Sequence, residues 1–242
     1  WRYRLLKFFL NDSLIMNLRN TGFLTILLVI LLTSSQSGGC RNESAGKKQI
    51  TAEEVLPSDS TCIFDGKTLD GWEITNFGTQ GPVDVSGGKI YLGMGDGCTG
   101  ITYRKSFPEI NYEVTLEAMR VEGNDFFCGM TFPVGKVPCT LIVGGWGGTV
   151  VGLSSIDGKD ASENETTRYM KFDSDRWYKI KLRVTEEKIE AWIDDELIVN
   201  FTIDGKRLSI RPEVELSKPF GIASWQTTAA LRNIRVRRIT EE

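Results

Sequence analysis

The chain has 242 residues, of which 40% are hydrophobic and 25% are charged, an ordinary composition for a globular protein. Its formal net charge of -3 argues against a nucleic-acid partner, because the phosphate backbone attracts strongly basic surfaces. The sequence contains no histidine, which excludes a Ser-His-Asp triad and histidine-bound zinc, and neither a metal site nor a cofactor is predicted.

The N-terminal part of the chain is typical of a targeting sequence. Residues 1–15 precede the first methionine, Met16, and we interpret them as upstream translation from a misplaced start. Residues 16–40 predict a signal peptide, with a short basic region, an apolar run at 22–32 and then small residues. Their end resembles a lipobox, which predicts lipidation of Cys40, a membrane anchor, and a periplasmic or outer-membrane lipoprotein of the cell envelope. Ordinary cleavage and an uncleaved anchor are the alternatives.

The rest of the chain predicts a tether and one folded domain. Residues 41–60 are polar and charged, as expected of a flexible tether. In residues 61–242 short apolar runs alternate with glycine-rich and aspartate-rich turns, and no helix is predicted there. Roughly a dozen short strands without a repeat period indicate an all-β fold, a two-sheet antiparallel jelly-roll sandwich.

The stretch Trp177–Phe201 predicts an antiparallel meander with one buried face. In its first half apolar and basic residues alternate with a period of two, which places all the apolar side chains on one face of a strand. A tight turn is expected at Thr185–Lys188. On the return strand Glu190 is expected to lie across from Lys181 and Arg183. The side chains expected between the sheets are Tyr178, Ile180, Leu182, Ile189, Ala191, Ile193, Ile234 and Val236.

Three stretches resemble the 3-keto-disaccharide hydrolase domain family. They are FDGKTLDGW at 64–72, the Trp177–Val199 meander with Ala191-Trp192-Ile193-Asp194, and LRNIRV at 231–236. The resemblance implies a fold similar to the concanavalin A-like lectin/glucanase sandwich. It also implies a secreted or periplasmic role in sugar processing.

The middle of the domain departs from the family pattern. Residues 124–130 replace an Asn-Ser-Gly-Ile strand, and residues 139–146 replace a strand that contains Tyr-Glu. Because that glutamate is absent, the resemblance supports the fold and leaves the hydrolase activity without its usual residue. These central strands are expected to line the concave ligand face.

Sugar-binding faces combine aromatic platforms with carboxylates or amides, and hydrolysis requires two carboxyl groups at a defined separation. Trp146, surrounded by glycines, and the pair Trp225-Gln226 at the end of an apolar strand are the candidate ligand-binding residues. Packing in the core or against a loop is the alternative for both tryptophans.

Asp125, which precedes an apolar strand, and Glu163 are the candidate catalytic carboxylates. Capping of a turn is the alternative role of Asp125. Asp157 is a further candidate ligand-binding residue, and the acidic segment Asp157–Glu165 is expected to close over one end of the site. A solvated acidic loop is the alternative, and the segment lacks the ligand pattern of a calcium-binding loop.

The cysteines outside the signal region can form three sets of disulfides, and the sequence does not choose among them. A hairpin would place Phe132 opposite Cys139 and Cys128 opposite Val143, which separates the two cysteines too far for a disulfide. Buried free thiols are therefore expected. The residues concerned are Cys62, Cys98, Cys128 and Cys139.

These observations support two functional hypotheses and a third, purely structural one. The first is a lipoprotein that hydrolyses or otherwise processes a modified glycoside. The second is a non-catalytic carbohydrate-binding module displayed on the membrane. The third is an envelope structural protein whose concave face is filled by its own aromatic side chains. Convergence of two carboxyl groups beside an aromatic platform would favour the first.

Overall fold

The computed structural model describes residues 59–239, which belong to the compact unit Ala52–Glu242. The predictions for residues 1–58, including the signal peptide, Cys40 and most of the tether, lie outside the described residues. Within 59–239, no helix has the length and apolar character needed to span a membrane.

The described strands form two antiparallel sheets. In the first, which we call the β6 sheet, the strand order is β13-β12-β11-β6-β15-β4-β3, and β1 pairs with β15. In the second, the β7 sheet, the order is β10-β9-β8-β7-β14-β5-β2. The prediction of an all-β, two-sheet antiparallel fold is confirmed. The strands are β1 (Thr61–Cys62), β2 (Trp72–Ile74), β3 (Val83–Ser86), β4 (Lys89–Leu92), β5 (Cys98–Tyr103), β6 (Tyr112–Gly123), β7 (Cys128–Val134), β8 (Val137–Gly145), β9 (Val150–Ser154), β10 (Arg168–Tyr169), β11 (Trp177–Val184), β12 (Lys188–Ile193), β13 (Glu196–Thr202), β14 (Phe220–Trp225) and β15 (Thr227–Arg238).

The predicted meander is present as β11, β12 and β13, adjacent in the β6 sheet. Arg183 lies opposite Glu190 as expected, but the two side chains are 3.9 Å apart. Arg183 binds Glu113 on β6 more closely, at 3.1 Å, and Glu190 pairs with Lys188 at 2.9 Å. The charges on this face therefore extend over several strands instead of forming one cross-strand pair.

The core lies between the two sheets, and the meander supplies a large part of it. The expected core residues are at most 2% exposed, except Val236, which is partly buried against the core. Val236 lies near the end of β15, where the two terminal strands β1 and β15 pair. The facing side chains of the β7 sheet include Met130, Phe132 and Leu141.

The β7–β8 hairpin has the register that the sequence predicts. Cys128 lies opposite Val143, and Phe132 lies opposite Cys139. Cys128 and Cys139 are completely buried free thiols, and Cys98 is a buried free thiol as well. The expectation of buried free thiols is therefore confirmed for these three cysteines and is wrong for Cys62, a free but exposed thiol on β1, because this two-residue strand pairs only with the end of β15.

A short segment covers the outer face of the β7 sheet. It contains a 3₁₀-helix, Pro212–Ser217, which the sequence did not predict. Six residues are too few to show a helical period, and the proline at its start is also typical of a turn. Thr102 on β5 donates a hydrogen bond to the carbonyl of Leu216, and Val214 packs against Cys98. The segment thus forms one wall over the outer face of this sheet.

Candidate functional site

A pocket of about 180 Å³ opens on the outer face of the β7 sheet. Thr140 and Ile142 on β8 contribute to its lining, together with Ser154 on β9. These side chains face away from the core because neighbours such as Leu141 and Val143 face into it, the alternation expected of a strand. We call this cavity the tryptophan pocket. Its other lining residues are Cys98, Asp125, Phe126, Trp146, Arg211, Glu213, Val214 and Trp225.

Trp146 lies in the turn between β8 and β9 with a backbone φ of 48°, and its side chain is 40% exposed. Left-handed backbone is unfavourable for a bulky residue and persists where the surroundings impose it. Gly147 and Gly148 follow with φ values of 82° and 101°, which glycine adopts freely. The turn therefore presents a large indole to solvent beside the pocket.

Buried Arg120 holds this turn in place. One terminal nitrogen donates to the carbonyls of Gly144 and Gly148 at 3.3 and 3.0 Å, and to that of Asp125 at 3.3 Å. The other donates to the carbonyl of Phe172 at 3.3 Å. Burial lowers the pKa of Arg120, and nearby Asp125 opposes that shift. A guanidinium remains charged even so, and it acts here as a clamp on both ends of the turn.

Asp125 connects β6 to the same turn. One carboxylate oxygen accepts the N–H of Phe126 at 2.7 Å, and the other accepts the N–H of Gly147 at 3.4 Å. Its own N–H donates to Thr227 at 3.1 Å. The turn-capping role that the sequence offered as an alternative is therefore present, and this half-buried carboxylate also lines the pocket.

Trp225 lies at the end of β14. Because β7 lies between β8 and β14 in the sheet, Phe126, which precedes β7, lies between Trp146 and Trp225. Trp225 donates its N–H to the carbonyl of Phe126 at 3.0 Å, and its half-buried ring lies close to Gly97. A side chain at Gly97 would meet this ring at 3.7 Å, in ordinary contact. Trp225 thus has one packed side and one side directed to the pocket.

Arg211 and Glu213, from the segment over the outer face, supply two of the three charged side chains of the pocket, the third being Asp125. Arg211 binds Glu213 at 2.9 Å and Asp160 at 2.9 Å. The hydrogen bond from Arg211 lowers the pKa of Glu213, and partial burial opposes that shift. Burial, with Glu213 nearby, raises the pKa of the Cys98 thiol to about 12. At neutral pH the pocket therefore contains a carboxylate beside a guanidinium, and a thiol that is not a nucleophile.

The arrangement of the chain agrees with one family. Residues 59–237 match the family described as the 3-keto-alpha-glucoside-1,2-lyase-like domain. The chain belongs to that family. The match spans more than half of the chain, and it confirms the resemblance to the 3-keto-disaccharide hydrolase domain family that the sequence shows.

Solved structures with a TM-score above 0.5 share the fold of the lyase-like domain. A Crh5 transglycosylase in complex with NAG is 13% identical with a TM-score of 0.53, over 76% of this chain and 85% of that one. A protein of unknown function with a galectin-like fold from Bacillus subtilis is 13% identical with a TM-score of 0.52, over 72% and 92%. No curated protein sequence matches the chain.

The lyase-like domain brings together three of the residues proposed from sequence. Asp125, Trp146 and Trp225 all line the tryptophan pocket, although Asp125 lies between β6 and β7, Trp146 lies between β8 and β9, and Trp225 ends β14. Their roles in binding or catalysis remain predictions.

The other proposed residues do not line this pocket. Exposed Gln226 donates to the carbonyl of Asp96 at 3.0 Å. Asp157 accepts the N–H of Arg207 at 3.0 Å, and Glu163 is exposed. From the acidic segment it is Asp160 that approaches the pocket, through its ion pair with Arg211.

Sequence reasoning missed Arg120, Arg211 and Glu213. Arg120 belongs to an alternating strand in which an inward arginine gives no distinctive signal. Arg211 and Glu213 flank a proline in a polar stretch without periodicity. Their positions follow from a chain segment crossing from the β6 sheet to the β7 sheet, which no local pattern predicts.

Proposed function

We propose that this domain binds a glycoside in the tryptophan pocket, with one sugar ring against Trp146. The observation that supports this proposal is the exposed indole, held beside apolar side chains such as Phe126 and Ile142 and three charged side chains. Sugar rings present apolar C–H faces to aromatic side chains and hydroxyl groups to carboxylates and guanidinium groups. Asp125, Arg211 and Glu213 are suitably placed to bond such hydroxyls. Membership of the lyase-like family also favours a sugar ligand.

Substitution of Trp146 by alanine tests this proposal. Because the indole is 40% exposed and adds little to the core, the variant should fold normally and lose sugar affinity about tenfold or more. Tyr169→Ala removes a 73% exposed aromatic ring on β10 outside the pocket and is the matched control. Calorimetric titration with 3-keto-glucosides and with unmodified gluco-oligosaccharides gives the affinities. Unchanged affinity in W146A, or its unfolding, would contradict the assignment of Trp146 to the sugar site.

The presence of an ionised carboxylate beside a guanidinium favours a second, catalytic function at the same pocket. A ketone at C3 acidifies the C2–H bond, so a base can remove that proton. The electron pair then forms the C1–C2 double bond, the C1–O bond breaks, and the departing alkoxide takes up a proton. Glu213 is the candidate base and Arg211 the group that stabilises the enolate oxygen. Unlike hydrolysis by a carboxyl pair, this elimination needs one base.

Glu213→Gln separates catalysis from binding. If the domain is a lyase, the variant should lose at least about 100-fold in the rate of forming the unsaturated 3-keto sugar. Its binding of the substrate should change much less. Glu215→Gln, two residues away and paired with Lys218, is the matched control. Absence of product with the unaltered protein, at concentrations that saturate binding, would identify the domain as a binding module.

We further propose that the protein is a cell-envelope lipoprotein anchored through Cys40. The support is the order of basic region, apolar run and small residues before this cysteine. Mass spectrometry of the native protein should find a diacylated or triacylated cysteine as the first residue. Peptides from residues 1–15, or an unmodified terminus elsewhere, would refute the proposal.

A further inference from the structure

A second cavity of about 270 Å³ lies on the outer face of the β6 sheet, on the opposite side of the sandwich from the tryptophan pocket. It is lined by side chains from adjacent strands β12, β11, β6 and β15. We call it the cationic groove. Its polar and aromatic lining residues are Trp192, Lys179, Lys181, Thr115, Glu117, Asp195, Asn233 and Arg235.

The two walls of the cationic groove lie at irregularities in the strands. The β12–β13 register shifts between Ala191 and Trp192, and the β15–β6 register shifts between Arg232 and Arg235. Asn233 within the second shift has a φ of 55°. Bulges redirect side chains, and they concentrate near functional sites. Both walls come from family-like stretches, at 191–194 and 231–236, that the tryptophan pocket does not use.

One row of residues crosses the floor of the groove. Arg235 lies opposite Thr115, Thr115 opposite Lys181, and Lys181 opposite Trp192. The ammonium group of Lys181 lies 4.2 Å from the centre of the Trp192 ring, which holds it within the groove. Among the described residues neither Lys181 nor Arg235 forms an ion pair.

In the neighbouring row of residues on the same sheet, a carboxylate neutralises the cations on either side of it. Glu113 binds Arg183 and Arg237, each at 3.1 Å, and so fills the space between two cations. In the groove the corresponding position is Thr115, which carries no charge. The two half-buried cations on either side of Thr115 therefore face a gap where a carboxylate would fit.

The other polar groups of the groove indicate what kind of anion fits. Glu117 and Asp195 line the same cavity; Glu117 is paired with Arg232 at 2.6 Å and accepts a hydrogen bond from Asn233 at 2.7 Å. The Asp195 carboxylate would repel a uniformly anionic surface such as a phospholipid membrane, whereas the oxygens of both carboxylates can accept hydrogen bonds from the hydroxyl groups of a sugar. A ligand with one anionic group and several hydroxyls matches both the two cations beside Thr115 and these hydrogen-bond acceptors.

We infer that the cationic groove is a second saccharide site, specific for an acidic sugar such as a hexuronate. The sugar carboxylate lies over Thr115 between Lys181 and Arg235, and its hydroxyls bond Glu117 and Asn233. The site is independent of the tryptophan pocket. A chain with both sites can hold two parts of one polysaccharide, or two different glycans, on its two faces.

The test uses the full-length protein and oligogalacturonate, with its methyl-esterified form as the uncharged probe. Arg235→Gln should weaken oligogalacturonate binding about tenfold or more, the effect of one lost charge-assisted hydrogen bond. Arg235 has no ion-pair partner in the described part of the chain, so its replacement should leave the fold intact. Lys136, in the β7–β8 turn, forms an exposed ion pair with Glu109. Lys136→Gln is therefore the charge-matched control and should bind oligogalacturonate normally.

Two further results separate this site from the proposed function. Trp146→Ala should leave oligogalacturonate affinity unchanged, and Lys181→Gln should weaken it as Arg235→Gln does. Equal binding of the methyl ester, or equal weakening by Lys136→Gln, would overturn the inference. Binding to phosphatidylserine vesicles without binding to oligogalacturonate would overturn it as well, and would assign the groove to membrane contact.

Discussion

The buried guanidinium of Arg120 holds the turn that carries Trp146. Arg120 donates to carbonyls at both ends of the β8–β9 turn, to that of Asp125, and to that of Phe172. Without Arg120 these carbonyls would stay buried with no donor and would keep the free-energy cost of desolvation. The loss of Arg120 therefore costs more stability than the net energy of its hydrogen bonds. The same residue thereby couples stability to the geometry of the proposed site.

Arg120→Met should destabilise the protein by about 2–5 kcal/mol, because several buried carbonyls lose their donor. Urea unfolding at equilibrium measures this change. Arg104→Met, which breaks an exposed pair with Glu73, should change the free energy of unfolding by less than about 1 kcal/mol. If the two variants are equally stable, Arg120 does not support the turn.

Leu182 tests the core assignment at the level of one side chain. It is completely buried on β11, between partners on β6 and β12. Leu182→Ala should cost about 2–5 kcal/mol through lost burial and an unfilled cavity. Thr202→Ala, at an exposed position on β13 in the same sheet, is the comparison and should cost much less. An unchanged unfolding midpoint for L182A would contradict the assigned face.

At the scale of elements, the β8–β9 turn combines one strained residue with two glycines. A Cβ at Gly148 would approach the carbonyl oxygen of Asn124 at 3.0 Å and the Arg120 guanidinium at 3.3 Å. A Cβ at Gly147 would meet nothing within 4 Å. Both glycines have positive φ, so the two sites differ in crowding and share the conformational penalty.

Gly148→Ala should therefore weaken glycoside binding more than Gly147→Ala. Each substitution costs about 1–2 kcal/mol for the left-handed backbone, but only Gly148→Ala pushes against the Arg120 clamp. Titration of both variants with the same sugar makes the comparison. Equal losses would show that the turn does not position Trp146 through Arg120.

At the scale of the whole molecule, the buried thiols make stability depend on alkaline pH. Burial raises the pKa of Cys128 and of Cys139 from 9.0 to about 12. Above pH 9 the unfolded chain releases these protons while the folded chain keeps them. The contribution of these two thiols to the free energy of unfolding is thus fully present below pH 9 and is lost between pH 9 and 12.

The free energy of unfolding should fall in that window by about 1.4 kcal/mol per pH unit for each thiol. Cys128→Ala should remove one such increment from the slope. Val143→Ala, which truncates the buried residue opposite Cys128, should lower stability without changing the slope. Identical slopes in all three proteins would show that Cys128 does not titrate in this range.

The sequence alone determined the all-β character of the domain and the pairing of strands within two hairpins. Alternation with a period of two identifies β11 and β12, because only a strand turns that pattern into one apolar face. The register of Cys128 opposite Val143 follows from the position of the β7–β8 turn, because a tight hairpin fixes which residues face each other. Both inferences depend on neighbours within one hairpin.

Only the tertiary structure decided the composition of the two surface sites. Arg120 reaches carbonyls 24 and 28 residues away, and Arg211 reaches Asp160 across 51 residues. The predicted carboxylate Glu163 stays exposed, and Glu213 lines the pocket from a crossing segment whose path the local pattern does not specify. A site of this kind depends on where two sheets and their crossovers place distant side chains, because strand periodicity specifies a face and not the strands beside it.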